Sequence, residues 1–300
     1  LLQSYPQSLV VMNVLGAAFR GQGKFKESIQ VNDKAILLKP DFIEAYNNRG
    51  NALRALGHLD EAVKSYEKAV QLTPGYAQAH SNLGLTFHDL GQLDAAVKSY
   101  EKALMINPDY AEAHNNLGNT LNELGQLDVA VKSYEKALII NPDYAEAYNN
   151  LGNTLKELGQ LDAAAKSYER ALTINPDYAE AHSNLGLILH ERGQLDAAVT
   201  SYERALAINP NLAQAYVNRG TAYYESGQLN EAVASYDRSI QLKPDYAEAY
   251  HNRGAALSEL GQLDEAAESH DKAIQFKPDY GEAHLGLVGL RKYGLGDAHI

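Results

Sequence analysis

The residues that could do chemistry in this chain, its histidines and carboxylates, are spaced too regularly to converge on one centre. The chain has 10 His and 38 Asp plus Glu among 300 residues. His80 and His88 are eight residues apart, as are His182 and His190. Eight residues of helix span roughly 12 Å, so neither pair can hold one metal ion by itself.

Other kinds of catalytic site are also missing from the sequence. The chain contains no cysteine, which excludes thiolate metal sites and cysteine nucleophiles. Serines and histidines recur with a period instead of forming one unrepeated cluster, and no glycine-rich phosphate loop follows a strand pattern. We therefore predict that this stretch is not an enzyme and has no catalytic residues, no metal site and no cofactor.

One asparagine recurs at a spacing that a partner could recognise. Asn is a mediocre helix former, so its retention on regular helices needs a reason. Its amide offers donors and an acceptor, which complement the backbone of an extended peptide. We predict that these residues bind a peptide backbone: Asn48, Asn82, Asn116, Asn150, Asn184, Asn218 and Asn252.

Polar residues flank this column on the same helical face. Glu112, Asn116, Asn119 and Glu123 are separated by four, three and four residues, which places them on one stripe. The carboxylates predict an acidic groove that prefers segments carrying Lys or Arg. The further candidate binding residues are Asn119, Asn153, Glu123, Glu157 and Glu191.

A structural explanation of the same asparagines stays open at this stage. Their amides could be solvated or could bond to the neighbouring repeat, and copying of the repeat would then preserve them without any partner. The carboxylates that precede the column also have a second explanation, because Asp143 and Glu146 match a capping box at a helix start.

The elements that must position these residues follow from the prolines. Pro40, Pro74 and six later prolines fall 34 residues apart, and a fixed period of this length indicates a repeat architecture. We predict eight 34-residue units between a truncated preceding repeat (1–8) and a C-terminal capping helix and tail (281–300). The units are 9–42, 43–76, 77–110, 111–144, 145–178, 179–212, 213–246 and 247–280.

Each unit carries two helical patterns. In 111–144 apolar residues recur in steps of three and four, first up to Leu124 and then from Leu127. Gly125 suits a left-handed helix end, and Pro142 stops the second pattern for lack of an N–H. Each unit is therefore predicted to be two antiparallel helices, which stack on their neighbours because no unit can bury its apolar face alone.

Charge and hydropathy narrow the classes of partner. Lys and Arg number 26 against 38 Asp and Glu, a net charge of -12, which argues against nucleic acid and anionic membranes. The most apolar stretch, 8–19, is too short to span a membrane, and no signal peptide is recognisable. We expect a cytoplasmic protein, and a fragment or processed product because the chain opens with Leu1.

The spacing of Leu117-Gly118, Ala130, Tyr134, Ala137 and Pro142 resembles the tetratricopeptide repeat family. The resemblance implies an all-α fold, a right-handed α-solenoid or superhelix of stacked helix pairs whose first helices line a concave groove. It also suggests that the Gly118 position lets the two helices approach closely. One departure is systematic, because Tyr or His replaces the family's usual Trp at Tyr46, His80, His114, Tyr148, His182, Tyr216, Tyr250 and His284.

The asparagine column is similar to the ladder in the superhelix of O-linked N-acetylglucosamine transferases, where it holds peptide backbone. Our leading hypothesis is a non-catalytic scaffold that binds an extended protein segment in its groove. One alternative is the substrate-recruiting arm of a larger glycosyltransferase-like enzyme, and another is a module that self-associates through its ends. The family's carboxylate clamp is poorly matched, because its basic positions hold Glu and Asn here.

Overall fold

The computed structural model describes residues 7–294, which form seventeen α-helices. The predictions for residues 1–6 and 295–300 lie outside this range. The first helices of the pairs are α1 (Leu9–Gly21), α3 (Ile43–Ala55), α5 (Ala77–Asp89), α7 (Ala111–Glu123), α9 (Ala145–Glu157), α11 (Ala179–Glu191), α13 (Ala213–Glu225), α15 (Ala247–Glu259) and α17 (Gly281–Gly294). The second helices are α2 (Phe25–Leu38), α4 (Leu59–Leu72), α6 (Leu93–Ile106), α8 (Leu127–Ile140), α10 (Leu161–Ile174), α12 (Leu195–Ile208), α14 (Leu229–Leu242) and α16 (Leu263–Phe276).

The turn inside each helix pair depends on one glycine. Gly125, between α7 and α8, has φ 72°, and its counterparts in the other pairs are also left-handed. A side chain strains this conformation, whereas glycine adopts it readily. The predicted helix end at Gly125 is therefore confirmed, and the short turn reverses the chain so that α8 packs back on α7.

The predicted capping box at Asp143 and Glu146 is wrong. Helix α9 begins at Ala145, so the residue at its N-cap is Tyr144, whose side chain makes no capping hydrogen bond. The N-cap residues of six other first helices also make no side-chain capping hydrogen bond, namely those of α3, α5, α7, α11, α13 and α15. Asp143 lies one residue too early to cap, and its backbone N–H instead donates to Asn141 Oδ1 at 3.2 Å. The NPD sequence thus forms an asparagine-stabilised turn ahead of the helix.

A glycine and an aromatic ring determine how closely the helices of a pair approach. A Cβ added to Gly118 in α7 would lie 2.6 Å from a ring carbon of Tyr134 in α8. Tyr134 is buried, as are its counterparts Tyr66, Tyr100 and Tyr236. The absence of a side chain at Gly118 therefore makes room for the ring, which is the close approach that the sequence suggested.

The chain divides into two compact units, Leu1–Leu158 (unit 1) and Gly159–Ile300 (unit 2). Within unit 1 each helix packs on the next, and the first helices also pack on one another, as α3 does on α5. Unit 2 shows the same pattern from α10 to α17. The predicted fold class, an all-α solenoid of stacked helix pairs, is confirmed within each unit. None of the helices in 7–294 is long and apolar enough to cross a membrane.

Candidate peptide-binding face

The asparagine column lies half-buried along the first helices. We call this surface the ladder face and define it, in α7, by Glu112, Asn116, Asn119 and Glu123 and, in the other first helices, by the residues at the corresponding positions. Unit 1 contributes Asn48, Asn82, Asn116 and Asn150 to the column, and unit 2 contributes Asn184, Asn218 and Asn252.

Three of the column asparagines in unit 1 bond to the preceding first helix. Each donates from Nδ2 to Oδ1 of the asparagine 35 residues earlier. Two of the acceptors, Asn47 and Asn115, are the first residues of NN pairs and are buried, whereas Asn13 is followed by Val14. The bonds are Asn48 to Asn13 (2.6 Å), Asn82 to Asn47 (2.9 Å) and Asn150 to Asn115 (3.2 Å).

These hydrogen bonds restrict the orientation of each amide and leave some of its donors and its acceptor available. An asparagine side chain carries two N–H donors and a carbonyl acceptor. After one N–H has bonded to the preceding helix, the other N–H and Oδ1 of Asn48, Asn82 and Asn150 have no further bond among the residues that the structure describes. The structural explanation of the column is therefore correct for one N–H of each, and the rest of the amide can bind a partner.

Column members whose neighbour is not asparagine behave differently. The residue 35 positions before Asn116 is Ser81, and no side-chain hydrogen bond of Asn116 occurs within 7–294. In unit 2, Asn218 Oδ1 accepts from Gln214 Nε2 at 2.9 Å on its own helix. Asn116 is thus the column residue of unit 1 that the described structure does not use internally.

A second asparagine position on the ladder face binds the core tyrosine. Tyr134 donates its hydroxyl to Asn119 Oδ1 at 2.8 Å, and Tyr66 donates to Asn51 Oδ1 at 2.7 Å. The predicted binding residue Asn119 therefore has a structural bond through its oxygen, which leaves its two N–H groups for a partner. Sequence reasoning had assigned the residue only to a partner.

The carboxylates at the end of the ladder face are partly paired. His88 Nε2 lies 2.9 Å from Glu123 Oε1, and Arg54 Nε donates to Asp89 at 2.5 Å. In unit 2, His190 lies 2.9 Å from Glu225. Exposed pairs of this kind contribute little stability. The Arg54 pair offsets one negative charge of the ladder face, whereas the predicted residues Glu157 and Glu191 are exposed and form no ion pair with the residues that the structure describes.

The histidines in the aromatic packing position are core residues. His80, His114 and His182 are buried, each with Nε2 about 3 Å from the carbonyl oxygen of the proline six residues earlier. Burial lowers the pKa of His114. The three histidines therefore belong to the core, whereas His284 at the same position of α17 is exposed. In the described range, no group of three or more His, Asp or Glu could hold a metal ion.

The last helix pair contains a different histidine arrangement. His270 in α16 occupies the position of the core tyrosine, with its ring centroid 5.2 Å from that of His251 in α15. Nδ1 of each ring is buried without a hydrogen-bond partner. Burial, followed by the neighbouring His251, lowers the pKa of His270 to about 4.

A stack of helix pairs with a polar stripe defines a helical-repeat interaction protein, and sequence comparison gives its family. A model described as TPR repeat matches residues 16–54, 50–91, 84–125, 118–159, 152–191, 186–227 and 220–261. A model described as Tetratricopeptide repeat matches 247–280. The chain belongs to the tetratricopeptide repeat (TPR) family.

Solved structures agree with this assignment. YrrB, described as a TPR protein with an unusual peptide-binding site, is 27% identical, with a TM-score of 0.55 over 63% of this chain and 97% of its own. MamA is 28% identical, with a TM-score of 0.51 over 55% of this chain and 96% of its own. The Cut9-Hcn1 complex, at 16% identity and a TM-score of 0.66 over 89% of this chain and 52% of that one, shows the fold alone. No curated protein sequence matches the chain. The chain is a protein-interaction scaffold.

Proposed function

We propose that the ladder face binds an extended protein segment by its backbone, and that each 34-residue unit contributes one rung. The observation that carries this proposal is the fixed orientation of the column amides. The hydrogen bonds of Asn48, Asn82 and Asn150 to the preceding helix restrict their side chains before any partner arrives. Ordering them on binding then costs less conformational entropy, which strengthens binding.

The chemistry of the remaining groups fits a peptide backbone. The remaining carbonyl oxygen and N–H of Asn48, Asn82 and Asn150 match the N–H and C=O that an extended segment presents. Contacts of this kind do not depend on the side chains of the segment. The YrrB structure, described as having a peptide-binding site, supports the same use of a TPR surface.

The expected strength of the column alone is modest. Seven hydrogen bonds at roughly 0.5–1.5 kcal/mol net would total about 3.5–10 kcal/mol, whereas association costs about 4–15 kcal/mol. Side chains of the partner must therefore supply part of the affinity. The exposed Glu157 and Glu191 favour a partner with Lys or Arg, so we propose a basic extended segment and neither nucleic acid nor a membrane.

Asn116→Ala tests the proposal without breaking an internal side-chain bond. We would measure fluorescence anisotropy of a labelled 12-residue peptide that alternates Lys and Ser. Loss of one backbone-binding amide should weaken binding roughly two- to ten-fold, with unchanged thermal unfolding. Asn230→Ala, at an exposed asparagine on α14, is the matched control.

A second form of the peptide separates backbone from side-chain recognition. N-methylation of alternate backbone amides removes donors and keeps every lysine. The methylated peptide should bind more weakly to the parent chain and equally to the parent and Asn116→Ala. Equal binding of the unmodified peptide to Asn116→Ala and the parent would count against the ladder.

A further inference from the structure

Tyrosines form a second row of side chains beside the ladder face, at the residue that precedes a first helix. In unit 1, Tyr76 precedes α5 and Tyr110 precedes α7. In unit 2, Tyr246 precedes α15 and Tyr280 precedes α17. All four residues are half-buried. Their position at the start of the ladder-face stripe puts aromatic rings next to the proposed path of a bound segment.

The hydroxyl of Tyr246 shows that this row touches the ladder face. Tyr246 donates its hydroxyl to Gln214 Oε1, and Gln214 occupies in α13 the position that Glu112 occupies in α7. Burial, with the nearby Glu248, raises the pKa of Tyr246 to about 12. The phenol therefore stays neutral at physiological pH, and its ring keeps an electron-rich face.

In unit 2 the chain's own lysines occupy these rings. Lys243 Nζ lies 4.4 Å from the centroid of the Tyr246 ring, and Lys277 Nζ lies 4.8 Å from that of Tyr280. Both distances are within the range of about 6 Å at which an ammonium group is attracted to a ring face. Each lysine stands three residues before its tyrosine, so the turn itself presents the ammonium group to the ring.

In unit 1 the corresponding residues cannot do this. Thr73 and Asn107 stand three residues before Tyr76 and Tyr110, and neither carries a positive charge. Asn107 is also committed to its turn, because its Oδ1 accepts the backbone N–H of Asp109 at 3.3 Å. No Lys or Arg of the described part of unit 1 lies over either ring.

Carboxylates add a negative field at the Tyr76 and Tyr110 rings, which no lysine that the structure describes covers. Burial and then Glu44 raise the pKa of Tyr76, and burial and then Glu112 raise that of Tyr110. Both glutamates are exposed on the ladder face. A cation above either ring would therefore interact with the ring face and with a carboxylate.

We propose that Tyr76 and Tyr110, with Glu44 and Glu112, form two subsites for lysine or arginine side chains of the bound segment. Lys243 and Lys277 fill the equivalent positions of unit 2 from within the chain. This inference rests on the proposed function, because the ladder face must hold the backbone that carries those side chains. It gives Tyr76 and Tyr110 a specificity for cations that Tyr246 and Tyr280 lack.

Transfer of the lysines between the units tests the subsites on the full chain. The probe is the same labelled peptide of alternating Lys and Ser, measured by fluorescence anisotropy. Thr73→Lys with Asn107→Lys should place a lysine of the chain over the Tyr76 and Tyr110 rings and weaken binding roughly five- to thirty-fold for the two rings together. Lys243→Thr with Lys277→Asn should expose the faces of the Tyr246 and Tyr280 rings and strengthen binding by a similar factor.

Two controls separate ring recognition from net charge. Tyr76→Leu with Tyr110→Leu leaves the charge of the chain unchanged and should weaken binding by the same factor as the lysine transfer. A peptide with trimethyl-lysine keeps the cation and should bind as well as the lysine peptide. The neutral acetyl-lysine peptide should bind more weakly than the lysine peptide does to the Tyr→Leu variant, because it loses the attraction to the ring and to the carboxylate. Circular dichroism of each variant checks that the helices persist.

The outcomes distinguish this inference from the proposed function. Full binding by the Tyr→Leu variant, alongside weakened binding by Asn116→Ala, would overturn the tyrosine subsites and leave the ladder standing. The reverse pattern would show that the rings bind lysine while the ladder does not hold the backbone, which would overturn the proposed function. If the parent chain does not bind the lysine peptide, both are wrong.

Discussion

The α5–α6 and α7–α8 pairs fill the same space in two different ways. In α7–α8, Tyr134 packs against Gly118 and donates its hydroxyl to Asn119 Oδ1. In α5–α6, Tyr100 packs against Gly84 in the same manner, but Leu85 stands where the amide would be. The Tyr100 hydroxyl is buried and has no hydrogen-bond partner.

This difference shows that one asparagine can have two uses. A buried hydroxyl without a partner is destabilising, so Asn119 has a structural reason to be present before any partner binds. The same contrast recurs at α11–α12, where Leu187 stands at the asparagine position and the Tyr202 hydroxyl is buried without a partner. A polar residue on a repeated face therefore needs its internal contacts counted before it is assigned to binding.

In α16 a histidine, His270, occupies the tyrosine position, and the change in stability that we predict there is the largest. The pKa of His270 is lowered to about 4 from its usual 6.5, so the folded state resists protonation that the unfolded state accepts. Stability is complete above about pH 6.5 and falls as the pH drops toward 4, by on the order of 2–3 kcal/mol. Denaturant unfolding at pH 7 and pH 5 should show the loss.

His270→Phe isolates this effect from the titration of other groups. The apolar ring cannot be protonated, so the difference in stability between pH 7 and pH 5 should shrink relative to the parent chain. His251, whose ring contacts that of His270, is also pKa-lowered by burial, and it stays in both proteins. An equal loss of stability in the two proteins would mean that His270 is not responsible.

Much of the fold was predictable from the sequence because its causes are local. The helical periodicity, Gly125 and the proline spacing each act within a few residues, and they predicted the helix pairs. The capping box at Asp143 was predicted wrongly although α9 begins at the predicted unit boundary, because Asp143 through Glu146 also fits a turn stabilised by Asn141. A choice between two local hydrogen-bond patterns depends on where the neighbouring helix holds the chain.

The candidate site was only partly predictable for a different reason. The bond from Asn82 to Asn47 joins residues 35 apart, and nothing local marks it. The sequence does contain a signal, since Asn48 and Asn150 also have an asparagine 35 residues earlier, whereas Asn116 has Ser81. That offset is one residue longer than the repeat, so comparison of equivalent positions misses it.

A substitution that makes the α7–α8 pair resemble the α5–α6 pair should have an effect of intermediate size on the free energy of unfolding. Asn119→Leu should remove the oxygen that accepts the Tyr134 hydroxyl, leave only the Thr154 side chain beside that hydroxyl, and lower the free energy of unfolding by about 1–2 kcal/mol. Guanidinium denaturation followed by circular dichroism measures the change. Adding Tyr134→Phe should restore most of the loss, because the double variant has no hydroxyl that needs the Asn119 oxygen. A double variant no more stable than Asn119→Leu would show that the leucine itself disturbs the packing.

The smallest change in the free energy of unfolding that we predict has opposite signs in the α5–α6 and α7–α8 pairs. Tyr100→Phe removes a buried hydroxyl that has no partner, so it should raise the free energy of unfolding by up to about 1 kcal/mol. Tyr134→Phe removes a hydroxyl that donates to Asn119, and it should lower the free energy by about the same amount. The two substitutions delete the same atom from equivalent rings against equivalent glycines, which cancels the packing contribution. Denaturation of both variants beside the parent chain therefore measures the hydrogen bonding of the Tyr134 hydroxyl, and equal shifts in the same direction would mean that Leu85 and Asn119 serve the tyrosine equally well.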